Sequence, residues 1–154
     1  MGETVTFKRA DGKDCAGYLA RPAGTGPAPA VVVIQEWWGL NGQIKSVADK
    51  YASLGYRALV PDLYRGKVTL DAAEANHLMT GLDFGDAANQ DIRGAVAYLR
   101  GASTKVGLTG YCMGGALTVL GAALVKELDA ASAFYGFPPD GAADVGGIRC
   151  PIQL

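Results

Sequence analysis

Gly110-Tyr111-Cys112-Met113-Gly114-Gly115 joins a strand-like run, residues 105–111, to residues 113–126, which are apolar nearly all round and predict a buried helix. The hexapeptide has the form G-x-C-x-G, a nucleophile elbow with cysteine where serine is commoner. The chemistry demands this layout. A nucleophile on a sharp turn between strand and helix projects above the sheet, and flanking glycines leave room where a Cβ would clash. The helix N-terminus aims N–H groups and partial positive charge at the sulfur, and the Met113 N–H can act as an oxyanion donor. A buried cysteine in a glycine-rich turn, as in dinucleotide-binding folds, is the plainer alternative. That fingerprint needs G-x-G-x-x-G, which this stretch does not supply.

Upstream, Ala30-Val31-Val32-Val33-Ile34 is a continuous apolar run, typical of a strand covered on both faces. Gln35-Glu36-Trp37-Trp38-Gly39 follows at its carboxyl end, where the loops of open α/β sheets build sites. A glutamate followed by two tryptophans makes Glu36, Trp37 and Trp38 site candidates, set against a surface carboxylate with aromatic packing. Ile44, Val47, Ala48 and Tyr51 recur at helical spacing up to Gly55, and residues 57–60 predict a short strand stopped by Pro61. Asp71-Ala72-Ala73-Glu74 is a capping-box signature for a helix to about Thr80. Asp86 can cap another, with Ala88, Ile92, Ala95, Val96 and Leu99 on one face. Residues 130–135 read as a strand. At the start, residues 4–8 and 14–20 flank an Asp11-Gly12 turn and predict an antiparallel hairpin.

The alternation predicts one α/β domain over residues 1–154: a mostly parallel sheet flanked by helices, with the antiparallel hairpin at its N-terminal end. Cys150-Pro151-Ile152-Gln153-Leu154 reads as the opening of another buried strand. The expectation is therefore a domain incomplete at its C-terminal end, cut within a strand. A short form whose sheet a partner completes is the alternative.

Composition narrows the class. A hydrophobic share of 49% with 19% charged residues suits a globular core rather than a disordered tail. The formal net charge of -1 offers no basic field for phosphates, so no nucleic-acid partner is expected. No apolar run is long enough to cross a bilayer, and no export leader is signalled, which points to the cytoplasm. Three cysteines, Cys15, Cys112 and Cys150, form no framework and suit a reducing compartment. The absence of C-x-x-C argues against thiol redox chemistry, and no His/Cys cluster has metal-ligand spacing.

Three stretches taken together resemble the dienelactone hydrolase (carboxymethylenebutenolidase) family, which has the α/β-hydrolase fold. They are Val33-Ile34-Gln35-Glu36-Trp37-Trp38-Gly39-Leu40-Asn41, then Gly55-Tyr56-Arg57-Ala58-Leu59-Val60-Pro61-Asp62-Leu63-Tyr64, then Gly110-Tyr111-Cys112-Met113-Gly114-Gly115-Ala116. Their order is the family's. The resemblance implies Cys112 as nucleophile and Glu36 as the carboxylate that contacts the resting thiol and takes its proton when substrate binds. It implies the backbone N–H groups of Trp37 and Met113 as oxyanion hole, a small ester or lactone substrate, and no cofactor. The family's triad acid and histidine follow the nucleophile and are expected beyond residue 154. Asp140 and Asp144 come too early to match, and His77 precedes the nucleophile on a helix. The best-studied members hold a substrate carboxylate with an arginine after the D-L-Y segment, and residues 71–78 contain none. Arg65 and Lys67 are the candidate substitutes, with Trp38 and Tyr64 as further substrate contacts; a solvated loop pair is the plainer reading of Arg65 and Lys67. The rival to an enzyme is a non-catalytic α/β module or fragment that binds a partner. The sequence sets no oligomeric state.

Overall fold

Seven strands pair into one sheet in the computed structural model, which describes residues 1–154. β1 (Glu3–Lys8) and β2 (Asp14–Ala20) form the predicted hairpin. Asp11 shapes its turn by accepting the Lys13 N–H, while Gly12 takes a φ of 85°. β2 runs antiparallel to β4 (Arg57–Pro61), and beyond it β3 (Ala30–Ile34), β5 (Val106–Tyr111), β6 (Ala130–Phe134) and β7 (Ile152–Gln153) continue in parallel. The order across the sheet is β1-β2-β4-β3-β5-β6-β7. This is the mostly parallel sheet with an antiparallel N-terminal hairpin that the alternation predicts.

Every residue of β3 is buried because helices cover both of its faces. On one face Val32 and Ile34 join Leu19, Leu59 and Leu108 in the larger core, closed by α4 (Arg93–Arg100) and α5 (Met113–Leu124). On the other, Val31 and Val33 join Tyr18, Ala58 and Val60 in a smaller core under α1 (Gly42–Ser53). Each fully buried Val or Ile is worth about 1.5–3 kcal/mol relative to exposure. The buried central strands therefore give the loops at their carboxyl ends a firm base.

The helix starts follow local chemistry, with one correction. Asn41 caps α1 by accepting the Ile44 N–H, and Asp71 caps α2 (Ala72–Gly81) by accepting the Glu74 N–H. The capping box closes through Thr69: its hydroxyl donates to Glu74 and accepts the Asp71 N–H. Asp86 is not the cap of the next helix. Asp83 is, taking the Asp86 N–H at 2.9 Å, and residues 84–100 form one helical run of α3 (Phe84–Asp86), a π-helical stretch (Ala87–Ile92) and α4. Both aspartates precede the apolar face, and the turn begins at the earlier one. α5 ends at Leu124, two residues short of the expected 126, because Val125 turns extended and buries in the core.

Candidate active site

The elbow forms as the glycine spacing demands. Cys112 has φ 56° and ψ -119°, a backbone region that non-glycine residues avoid and that costs on the order of 1–3 kcal/mol to hold. It is held from outside: the Cys112 N–H donates to Phe134 O at 3.0 Å. A Cβ at Gly110 would stand 2.2 Å from Gly114 O, and one at Gly114 would stand 2.6 Å from both Ile34 O and Gln35 O. The bare backbone at 114 thus lets the elbow press directly on the end of β3, the strand that carries Glu36.

Sheet register sets up the rest. Ile34 pairs with Gly110, and Tyr111 pairs with Phe134. Carried one or two residues past the strand ends, these registers align Glu36, Cys112 and Tyr135 in a row across β3, β5 and β6. The Tyr135 hydroxyl donates to Glu36 Oε1 at 2.9 Å, from a residue whose φ is 40°. Tyr135 is largely exposed, and that hydrogen bond, followed by slight desolvation and the charge of Glu36, pushes its phenol up. Tyr111 stacks on Phe134 with ring centres 5.0 Å apart, and burial followed by Tyr51 pushes its phenol up to about 12. A cavity of about 350 Å³ lies beside the row, lined by Glu36, Ile44, Val47, Tyr51, Tyr111 and Tyr135.

Residues expected to contact substrate fall into two groups. The Trp37 and Met113 N–H groups both lack a backbone acceptor, as an oxyanion hole requires. Trp37 and Trp38 meet edge to face at 5.1 Å, and their loop is pinned where Trp38 O accepts the Thr69 N–H. Tyr64 is buried; its hydroxyl donates to Met113 Sδ at 3.2 Å. Burial pushes its phenol up to about 12. Arg65 has other partners. All four of its side-chain hydrogen bonds go to Cys15, Asp62 and the buried Asp91, so the guanidinium is already committed to a carboxylate of the protein itself. The side chain is still about 45% exposed, so one side of the guanidinium faces solvent while the other holds Asp91.

Tyr135 is the residue that reading along the chain passes over, since it looks like the end of a strand. Counting the register from Gly110 and Phe134 would have found it. His77 is exposed on α2. Burial pushes the Cys15 thiol up to about 12 and raises that of Cys150. No three His, Cys, Asp or Glu side chains gather as a metal site would need, and no helix is long and apolar enough to cross a membrane.

Residues 15–154 match the model of the dienelactone hydrolase family. Among curated relatives, Protein usf of Aquifex pyrophilus is 36% identical over 99% of this chain and 69% of its own length. A putative carboxymethylenebutenolidase of Aquifex aeolicus is 35% identical with the same coverage. Among solved structures, a dienelactone hydrolase-like promiscuous phosphotriesterase from metagenomic libraries superposes with a TM-score of 0.80 at 30% identity, over 98% of this chain and 66% of that one. The chain spans about two thirds of the length of these relatives. The parallel sheet between helices, with a strained turn after β5, is the α/β-hydrolase arrangement. With nearly the whole chain matched and the elbow and Gln35-Glu36 stretch in register, the chain belongs to the dienelactone hydrolase family.

Proposed function

We propose that this chain carries the nucleophile of a carboxylic ester hydrolase that opens small esters or lactones through a thiol acyl-enzyme. The observation that carries the reading is the row of Glu36, Cys112 and Tyr135 at adjacent strand ends, with the thiol on a strained turn at a helix N-terminus. The substrate carbonyl oxygen sits between the N–H groups of Trp37 and Met113, with Trp38 and Tyr64 forming the walls. Glu36 accepts the proton of the Cys112 thiol. The sulfur electron pair forms the C–S bond, and the carbonyl π pair moves onto oxygen, where the two N–H groups stabilise it. Collapse breaks the ester C–O bond, and the alkoxide takes the proton held on Glu36, which returns that group to a carboxylate; in a lactone the alcohol stays tethered to the acyl group. Water then attacks the thioester, releasing the acid and restoring the thiol. We assign activation of that water to a triad acid and histidine beyond residue 154, where the family resemblance puts them; His77 is exposed on α2 and precedes the nucleophile. No step calls for a cofactor, and three free thiols suit the reducing cytoplasm.

The test uses the full polypeptide and a neutral aryl acetate. Cys112→Ala should abolish turnover, and Glu36→Gln should lower kcat by about 10²–10⁴-fold, the usual worth of a general base. Mass spectrometry of a slowly turned-over ester should find the acyl group on the peptide containing Cys112. Turnover by Cys112→Ala at the wild-type rate would overturn the reading.

A further inference from the structure

Asp91 is a fully buried carboxylate near the C-terminal end of the π-helical stretch, ahead of the elbow in the chain. Both of its oxygens accept from Arg65 Nη2, at 2.9 and 3.0 Å. Arg9 Nη1 stands 3.6 Å away, but that guanidinium also pairs with Asp11 and Asp86, which leaves Asp91 chiefly to Arg65. Burial raises the Asp91 carboxyl, and Arg65 and Arg9 oppose the rise. Asp91 is buried while Arg65 is about 45% exposed, so the pair reaches from the interior to the surface of the loop after β4 and holds that loop in one conformation. π-Turns inside helices also tend to occur at functional sites.

The conformation enforced here is that of the loop after β4. Arg65 sits at φ 54°, an uncommon backbone for a non-glycine residue. The same loop is tied down at three other points. Asp62 accepts the N–H groups of Tyr64 and Gly66, and Gln35 Oε1 accepts that of Leu63. The residue adjoining Arg65 is Tyr64, whose hydroxyl lies on Met113 Sδ beside the nucleophile. A continuous chain of contacts therefore runs from Asp91 through Arg65 and Tyr64 to Met113.

We propose that Asp91 is a positioning residue for the reaction at Cys112: by clamping Arg65 it seats Tyr64 against Met113, and so fixes the wall and the Met113 N–H that face the reacting carbonyl. This rests on the thiol-hydrolase reading. It also gives Arg65 its role, as the link between a buried carboxylate and the site wall.

The experiment compares Asp91→Asn, Arg65→Met, Tyr64→Phe and the Asp91→Asn/Tyr64→Phe pair in the full polypeptide, below the melting temperature of each. Asp91→Asn should lower kcat about tenfold while KM stays within about twofold, and the double variant should be no slower than Tyr64→Phe alone, since both changes cut one chain of contacts. Alkylation of Cys112 by iodoacetamide, read without turnover, should change rate in Asp91→Asn and Arg65→Met alike. If Asp91→Asn does not fold, Arg65→Met decides by the same measures. An unchanged kcat and alkylation rate in the folded variants would overturn the proposal and leave the pair a brace. Cys112→Ala judges the thiol reading separately, so the two failures are told apart.

Discussion

The Tyr135 hydroxyl donates to Glu36 Oε1 across 99 residues of sequence, at 2.9 Å. It fixes one oxygen of the carboxylate that borders the elbow and leaves the other free. In the reaction proposed above Glu36 accepts the thiol proton, and there a hold on one oxygen would orient the other before the transfer begins.

Tyr135→Phe removes that hold without changing the ring. Hydrogen bonds to charged groups are worth about 1.5–3 kcal/mol, and part of that here goes to orientation. The expected outcome is a kcat lower by about tenfold, with KM and the melting temperature close to wild type. Steady-state kinetics on a neutral aryl ester checks it. An unchanged kcat would mean that Glu36 is aimed by something else.

Gly114→Ala places a methyl 2.6 Å from the carbonyl oxygens of Ile34 and Gln35, both backbone atoms that cannot swing away. Overpacking of this kind costs about 1–3 kcal/mol. The expected outcome is a fall in the urea midpoint by that equivalent, together with lost turnover. Gly42→Ala is the control, because nothing stands within 4 Å of its added methyl, and its midpoint should not fall. Equal midpoints for the two variants would rule out the close approach of elbow and β3.

Asp129 supplies a pH test outside the site. Burial alone would raise its carboxyl, but hydrogen bonds from the Val106 N–H, Arg100 and Lys105 outweigh that and hold it at about 2, against an ordinary 3.8. A carboxyl depressed by folding stabilises the native state fully above its unfolded value, and that contribution is lost as pH falls through the folded one. Asp129→Asn should therefore be less stable than wild type at neutral pH. The gap should narrow between pH 3.8 and about 2. Denaturant titrations at the two ends measure it, and a constant gap would show that the network contributes through shape rather than charge.

The elbow, the buried β3 run and the Gln35-Glu36 segment were legible because each is a local pattern whose physics is complete within a few residues. What the sequence hides depends on partners. Asp83 and Asp86 both suit a cap, and only the start of the turn chooses between them. Asp91 reads as one more helix-face carboxylate until Arg65, from another loop, is seen against it. The pairing of Arg65 with Asp91 is hidden for the same reason. Tyr135 looks like the last residue of a strand, and its relation to Glu36 exists only once β5 lies between β3 and β6.

That dependence on sheet register has a consequence for how the chain comes to life. No short segment contains the row: its three members lie on strands that meet only when the centre of the sheet has closed, and contacts of such long sequence separation form slowly. A growing chain that has just emerged through α5 possesses the thiol but neither the strand that receives the Cys112 N–H nor the tyrosine that holds Glu36. The backbone of the elbow thus lacks its outside support until β6 has packed, and the row exists only in the closed sheet.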